Sequence, residues 1–92
     1  PSVERDLALI LDKNITYEQI QKTIATAKIN YIKAVKLFDI FESEKLGKDK
    51  KSMAVSFTFL DETKTLTDKE IDASMNTLIH NFETSLSAEI RK

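Results

Sequence analysis

Ser52-Met53-Ala54-Val55-Ser56-Phe57-Thr58-Phe59-Leu60 decides the fold. Met53, Val55, Phe57 and Phe59 fall on one side of an extended chain; Ser52, Ala54, Ser56 and Thr58 fall on the other. Strict period-two alternation of this kind predicts a strand with one face in a core and one face small and wet. Just upstream, Ser43 to Lys50 is polar, holds Gly47 and reads as a loop. Before it, Val35 to Glu42 has strand character, so the two runs predict a long hairpin. In that earlier strand Val35, Leu37, Asp39 and Phe41 alternate with Lys36, Phe38 and Ile40. Either phase is partly apolar, and pattern alone leaves its buried face open.

Outward from the hairpin, each flank supplies a helix and a strand. On the C-terminal side, Asp61 to Lys64 is a polar turn, and Thr67 with Glu70 forms a capping box with Asp68 in the first turn. Ile71, Met75, Leu78, Ile79, Phe82 and Leu86 then form an amphipathic stripe. Ser87 to Arg91 reads as a closing edge strand anchored by Ile90. On the N-terminal side, Arg5 to Asp12 is apolar on both faces and predicts a central strand. Thr16 with Gln19 makes another capping box, followed by a helical stripe of Tyr17, Ile20, Ile24, Ala27 and Tyr31. The order strand–helix–strand–strand–helix–strand predicts an α+β, ferredoxin-like βαββαβ sandwich. It is a four-stranded antiparallel sheet with both helices on one face. The name concerns topology only, since the chain has no cysteine to hold a cluster.

Composition narrows the chemistry. The chain has 92 residues, one domain's worth, with 41% apolar and 32% charged residues and a formal net charge of −1. The absence of cysteine excludes a disulfide framework, a thiolate nucleophile and a cysteine-ligated metal site, and it fits a reducing compartment. Gly47 is the only glycine, which excludes the Gly-rich phosphate loops of P-loop and dinucleotide folds. No run approaches the ~18 apolar residues of a membrane span. The chain starts at Pro1 rather than Met, which leads to the expectation of a domain cut from a longer protein.

Catalytic hardware is sparse. His80 is the single histidine and sits beside the helical stripe, where a surface role is the plainer reading. Asp6, Asp12 and Asp39 have no spacing that demands a metal or an acid–base pair. Lys45, Lys48, Lys50 and Lys51 stand against Glu44 and Asp49, a local balance of +2 that suits either a phosphate-contacting edge or a solvated hairpin tip. The net charge argues against broad, non-specific nucleic-acid binding. The sheet face without helices is of more interest. It displays Ser52, Ala54 and Ser56, and if Asp39 and Phe41 share it, a ring stands beside a carboxylate and small residues. Such a ring can stack on an unpaired base, and a carboxylate can accept from a base amino or imino group. The plainer reading has Phe41 capping the core or docking on another domain.

The landmarks Arg5-Asp6-Leu7-Ala8, Leu37-Phe38-Asp39-Ile40-Phe41, Lys51-Ser52-Met53-Ala54, Lys64 to Glu70 and Ala88-Glu89-Ile90-Arg91, in this order, carry a resemblance. The chain resembles the C-terminal ferredoxin-fold anticodon-binding domain of the bacterial phenylalanyl-tRNA synthetase beta subunit, over nearly its whole length. The resemblance implies one domain, residues 1–92, at the end of a longer cytoplasmic subunit. It implies an RNA-binding, non-catalytic module that contacts the anticodon stem-loop of tRNA-Phe. Its partners would be the remainder of the beta subunit and the alpha subunit. No cofactor is implied for the domain, while the parent enzyme uses ATP and Mg2+; no membrane is involved.

The family's Asp-x-aromatic pair and Lys-Ser pair fall here on Asp39, Phe41, Lys51 and Ser52, with Phe where the family often has Tyr. The change keeps stacking and removes a phenol hydrogen bond. The resemblance also selects a sheet phase, with Asp39 and Phe41 outward and Phe38 and Ile40 towards the helices. Ala54, Lys48, Lys50 and Arg5 complete the expected RNA-binding set. The main alternative is a protein-interaction or regulatory module of the same fold, docking through its open sheet. A small acylphosphatase-like hydrolase is a more distant one, because Asp12-Lys13-Asn14 offers neither glycine nor arginine for an anion loop.

Overall fold

A computed structural model describes residues 1–91. The elements are β1 (Val3–Asp12), α1 (Tyr17–Thr26), β2 (Ile32–Phe41), β3 (Lys50–Phe59), α2 (Asp68–Leu86) and β4 (Glu89–Arg91). The strands form one antiparallel sheet in the order β2-β3-β1-β4, so the ferredoxin-like expectation is met. The two inner strands, β3 and β1, carry the strongest apolar patterns. Leu7, Leu9 and Leu11 of β1 and Met53, Val55, Phe57 and Phe59 of β3 are all buried. They meet Ile20 of α1 and Ile71, Leu78 and Phe82 of α2 in one core. The Phe57 and Phe82 rings pack tilted, with centroids 6.4 Å apart. Ile90 packs against the same core and anchors β4.

Both helices start at the capping boxes read from the sequence, Thr16 with Gln19 and Thr67 with Glu70. In each, the threonine hydroxyl accepts from the amide of the third helical residue, which leaves one fewer unsatisfied donor at the helix start. α1 is shorter than its stripe suggests. Helical hydrogen bonding stops near Ala27, and Lys28 adopts a left-handed φ of 53°. Ala27 and Tyr31 therefore lie outside the helix, yet both still pack on the core. The stripe continued because the connecting loop lies over the same apolar surface. α2 also ends on a left-handed residue, Ser87 at φ 52°, and the Ala88 amide donates back to the Phe82 carbonyl.

β2 departs from simple alternation. Its register with β3 runs Val35↔Phe57, Lys36↔Ser56, Leu37↔Val55, then jumps to Asp39↔Ala54, Ile40↔Met53, Phe41↔Ser52. Phe38 is the extra residue of a β-bulge, and the bulge exchanges the two faces of the strand. Val35 and Leu37 therefore face the helices before it, while Asp39 and Phe41 face away after it. This is why both phases of the strand look partly apolar. The outward placement of Asp39 and Phe41 stands. The inward placement holds for Ile40 as to side and needs correction for Phe38. Phe38 lies in the bulge, and Ile40 shares the helix side with Met53 but sits beyond the packed core. They are 50% and 55% exposed.

Candidate nucleic-acid interface on the open sheet face

The side of the sheet without helices is built from the residues that alternate with the core. Antiparallel partners point to the same face, so its rows follow from the register. One row crosses the sheet as Asp39, Ala54, Ala8 and Arg91; the next is Phe41, Ser52, Ile10 and Glu89. Alanines at the centre of the first row leave a shallow floor between Asp39 on one edge strand and Arg91 on the other. The expectation of a wet face fails at Ser52, which is 4% exposed. β3 is an inner strand, and Ser52 lies between the larger Phe41 and Ile10.

Several polar groups of this face turn to solvent rather than to one another. Among the described residues, the Asp39 carboxylate has neither a hydrogen bond nor an ion pair. The Ser52 hydroxyl has no side-chain hydrogen bond, yet it is not sealed from solvent, since no buried side-chain polar atom lacks a partner. Phe41 is 45% exposed. A free acceptor, a free hydroxyl and a half-exposed ring thus stand on adjacent rows, as a base-reading surface requires.

The cationic residues expected to accompany them are divided. Lys48 has no ion-pair partner among the described residues, and it lines a cleft at the β2–β3 tip with Lys13, Glu42, Ser43 and Gly47. Gly47 shapes that tip. Its φ of +125° suits glycine, and an added Cβ would lie 3.0 Å from Lys50 Cγ. Lys50 belongs to the open-face rows but pairs with Asp12 across β1 at 2.6 Å. Lys51 points the other way, in phase with Met53, and its ammonium donates to the Ile15 carbonyl. Arg5 also lies on the helix side, opposite Phe57; it donates to the Glu4 carbonyl and approaches Asp68 to 4.0 Å. Asp39, Phe41, Ser52 and Ala54 therefore come together, Lys48 and Lys50 adjoin them at the strand ends, and Lys51 and Arg5 stand on the opposite layer.

Sequence reading missed Arg91 as part of this face. Its guanidinium carbon lies 5.9 Å from the centre of the Phe41 ring, within cation–π range. The signal was available only through the register, because β4 and β2 are the two opposite edges of the sheet. The remaining acidic residues offer no second centre. Asp6 lies opposite Ser56 and Asp12 opposite Lys50. No group of three or more His, Asp or Glu side chains is arranged to hold a metal among the described residues. His80 is exposed on α2. No helix among them is long and apolar enough to cross a membrane.

The carboxyls with shifted titration lie at the other end of the molecule. A hydrogen bond from Lys64 and the Thr67 amide hold the Glu70 carboxyl below its usual range, and Glu70 in turn raises Lys64. Lys33 lowers Glu62 through a 2.9 Å contact, and Thr63 lowers Asp61. These groups fix the entry to α2.

A ferredoxin-like sheet with one open face defines the class, and comparison with known families agrees. The model of the ferredoxin-fold anticodon binding domain matches residues 1–91, and the chain belongs to that family. Its relatives are more particular. It is 46% identical over 91 residues to the phenylalanine–tRNA ligase beta subunit of Bacteroides thetaiotaomicron, covering 99% of this chain. It is 40% identical to the same subunit of Dehalococcoides mccartyi over 91 residues, and 40% identical to that of Fusobacterium nucleatum over 92. The chain spans 11% of the length of each of these relatives.

Proposed function

We propose that this domain recognises the anticodon of tRNA-Phe as part of a phenylalanyl-tRNA synthetase beta subunit. The observation that carries the reading is the grouping of the unpartnered Asp39 carboxylate, the Ser52 hydroxyl and the exposed Phe41 ring on one face. Phe41 stacks on an anticodon base, with guanine at the first position as its partner. Asp39 accepts from the imino and amino groups of that base, and the Ser52 hydroxyl bonds to the same nucleotide. Ala54 keeps the floor low enough for close approach. Lys48 meets a phosphate directly. Lys50 does so by leaving Asp12, and Lys51 serves backbone that wraps the end of β3. Arg5, on the helix side, contributes least.

In this reading the domain is non-catalytic. The alpha subunit and the remainder of the beta subunit carry ATP-dependent aminoacylation with Mg2+, in the cytoplasm. The small patch and the net charge of −1 imply modest affinity for the isolated domain.

The test is titration with an anticodon stem-loop bearing GAA, against one with a scrambled anticodon. Asp39→Ala should reduce discrimination between the two. Lys48→Ala should weaken both alike and flatten the salt dependence by roughly 0.7 in log–log slope, one phosphate on a single strand. Equal binding of both RNAs by wild type, unchanged by Asp39→Ala, would reject the reading. Exposed Phe38 and Ile40 favour a second reading, in which this sheet edge docks on protein. It predicts that Phe38→Ser abolishes a protein contact and leaves RNA binding intact.

A further inference from the structure

Arg91 and Phe41 lean toward each other across the open face. Strands lie about 4.8 Å apart, so β4 and β2 are separated by roughly 14 Å. Arg91 sits opposite Ala8, in line with Ala54, and its guanidinium nevertheless lies 5.9 Å from the Phe41 ring centre. The Arg91 side chain must therefore extend inward over Ala8, toward Ala54 and the leaning Phe41 ring, along the same floor that an incoming base needs. Larger residues at those two positions would block that path. No carboxylate pairs with Arg91 among the described residues, so no ion pair holds it there. Its strand is only three residues long, paired on one side with β1. The contact is thus one of weak attraction at a sheet edge, easily exchanged.

We infer that Arg91 is a gate of the base-stacking site: in the free domain it stands over one side of the half-exposed Phe41 ring, and it yields that side to a nucleobase. Two planar groups stacked on one another need about 3.5 Å between them, so a base inserted between ring and guanidinium would require roughly twice that separation. The 5.9 Å spacing does not admit it, so a base that stacks on that side of the ring displaces the guanidinium. Once displaced, its planar fork is suited to a phosphate oxygen pair. The gate deepens the anticodon reading and rests on it for the identity of the occupant. Its free-state contact can be measured without RNA.

The 92-residue chain is the sample. In the free wild type, ring current from Phe41 should move the Arg91 Nε–Hε resonance upfield, and Phe41→Leu should return it to the value of an exposed arginine. With guanosine as an uncharged probe, Arg91→Ala should strengthen binding at Phe41 by ~2–5-fold, the worth of an exposed cation–π contact. With the GAA stem-loop the same variant should bind more weakly, with a shallower salt dependence. Arg91→Gln, which is shorter and uncharged but keeps a hydrogen-bonding amide, should follow Arg91→Ala. An Arg91 resonance indifferent to Phe41→Leu would overturn the gate. So would parallel weakening of guanosine and stem-loop binding. If free-state and guanosine results hold but the wild type ignores the anticodon sequence, the gate stands and the anticodon reading falls.

Discussion

The entry to α2 and the open face of the sheet are opposites in how their polar groups are treated. At the entry, Thr67, Glu70 and Lys64 satisfy one another, Thr63 donates to Asp61, and Lys33 pairs with Glu62. On the open face, Asp39 and Ser52 have no side-chain partner, and Phe41 has only the distant guanidinium of Arg91. The first region is organised for stability. The second leaves an acceptor, a hydroxyl and a ring open to solvent and to a ligand. The difference separates residues whose loss unfolds the domain from residues whose loss disarms it.

Substitutions on either side of the sheet sharpen that separation. The largest effect should come from the core. Phe57→Ala, which empties the contact with Phe82, should cost about 3–5 kcal/mol of unfolding free energy in denaturant titration. On the open face, Phe41→Ala should weaken stem-loop binding by about 1–3 kcal/mol, the worth of one base–aromatic stack. Its effect on stability should stay within about 0.5 kcal/mol. Thr67→Ala should cost about 1 kcal/mol of stability through the lost cap, with stem-loop affinity unchanged. A Thr67→Ala variant that bound RNA poorly would break the separation.

The smallest effect is the acid response of the α2 entry. The Glu70 carboxyl is lowered in the folded state, chiefly by the Lys64 hydrogen bond and then by the Thr67 amide. A lowered carboxyl contributes stability that is fully present above its unfolded value. That contribution is lost as pH falls through the folded value. Glu70→Gln should therefore lower the midpoint of thermal unfolding near neutrality and bring it closer to wild type in acid. An equal loss at both pH values would place the role of Glu70 in packing.

Much of this was legible in the sequence, for identifiable reasons. Strict alternation from Ser52 to Phe59 and two capping boxes are local signals; they marked both helix starts at the right places and β3 to within two residues, Lys50 belonging to the strand rather than the loop. The end of α1 was hidden because Ala27 and Tyr31 bury apolar surface from a loop as readily as from a helix. The bulge at Phe38 was hidden because an extra residue changes the faces of a strand without changing its composition. Lys51 is a different case. Its parity with Met53 already placed it on the helix side of β3, and the family pattern drew attention away from that. Arg91 needed the sheet order itself, since nothing local links the last strand to the second.

The most direct test of the central claim is residue-by-residue NMR mapping of the GAA stem-loop on the free chain at low salt. The account predicts shifts at Asp39, Phe41, Ser52, Ala54 and Arg91 that shrink with the scrambled anticodon, while Thr67 and Glu70 stay still. Shifts confined to the helix face, or no difference between the two RNAs, would contradict it.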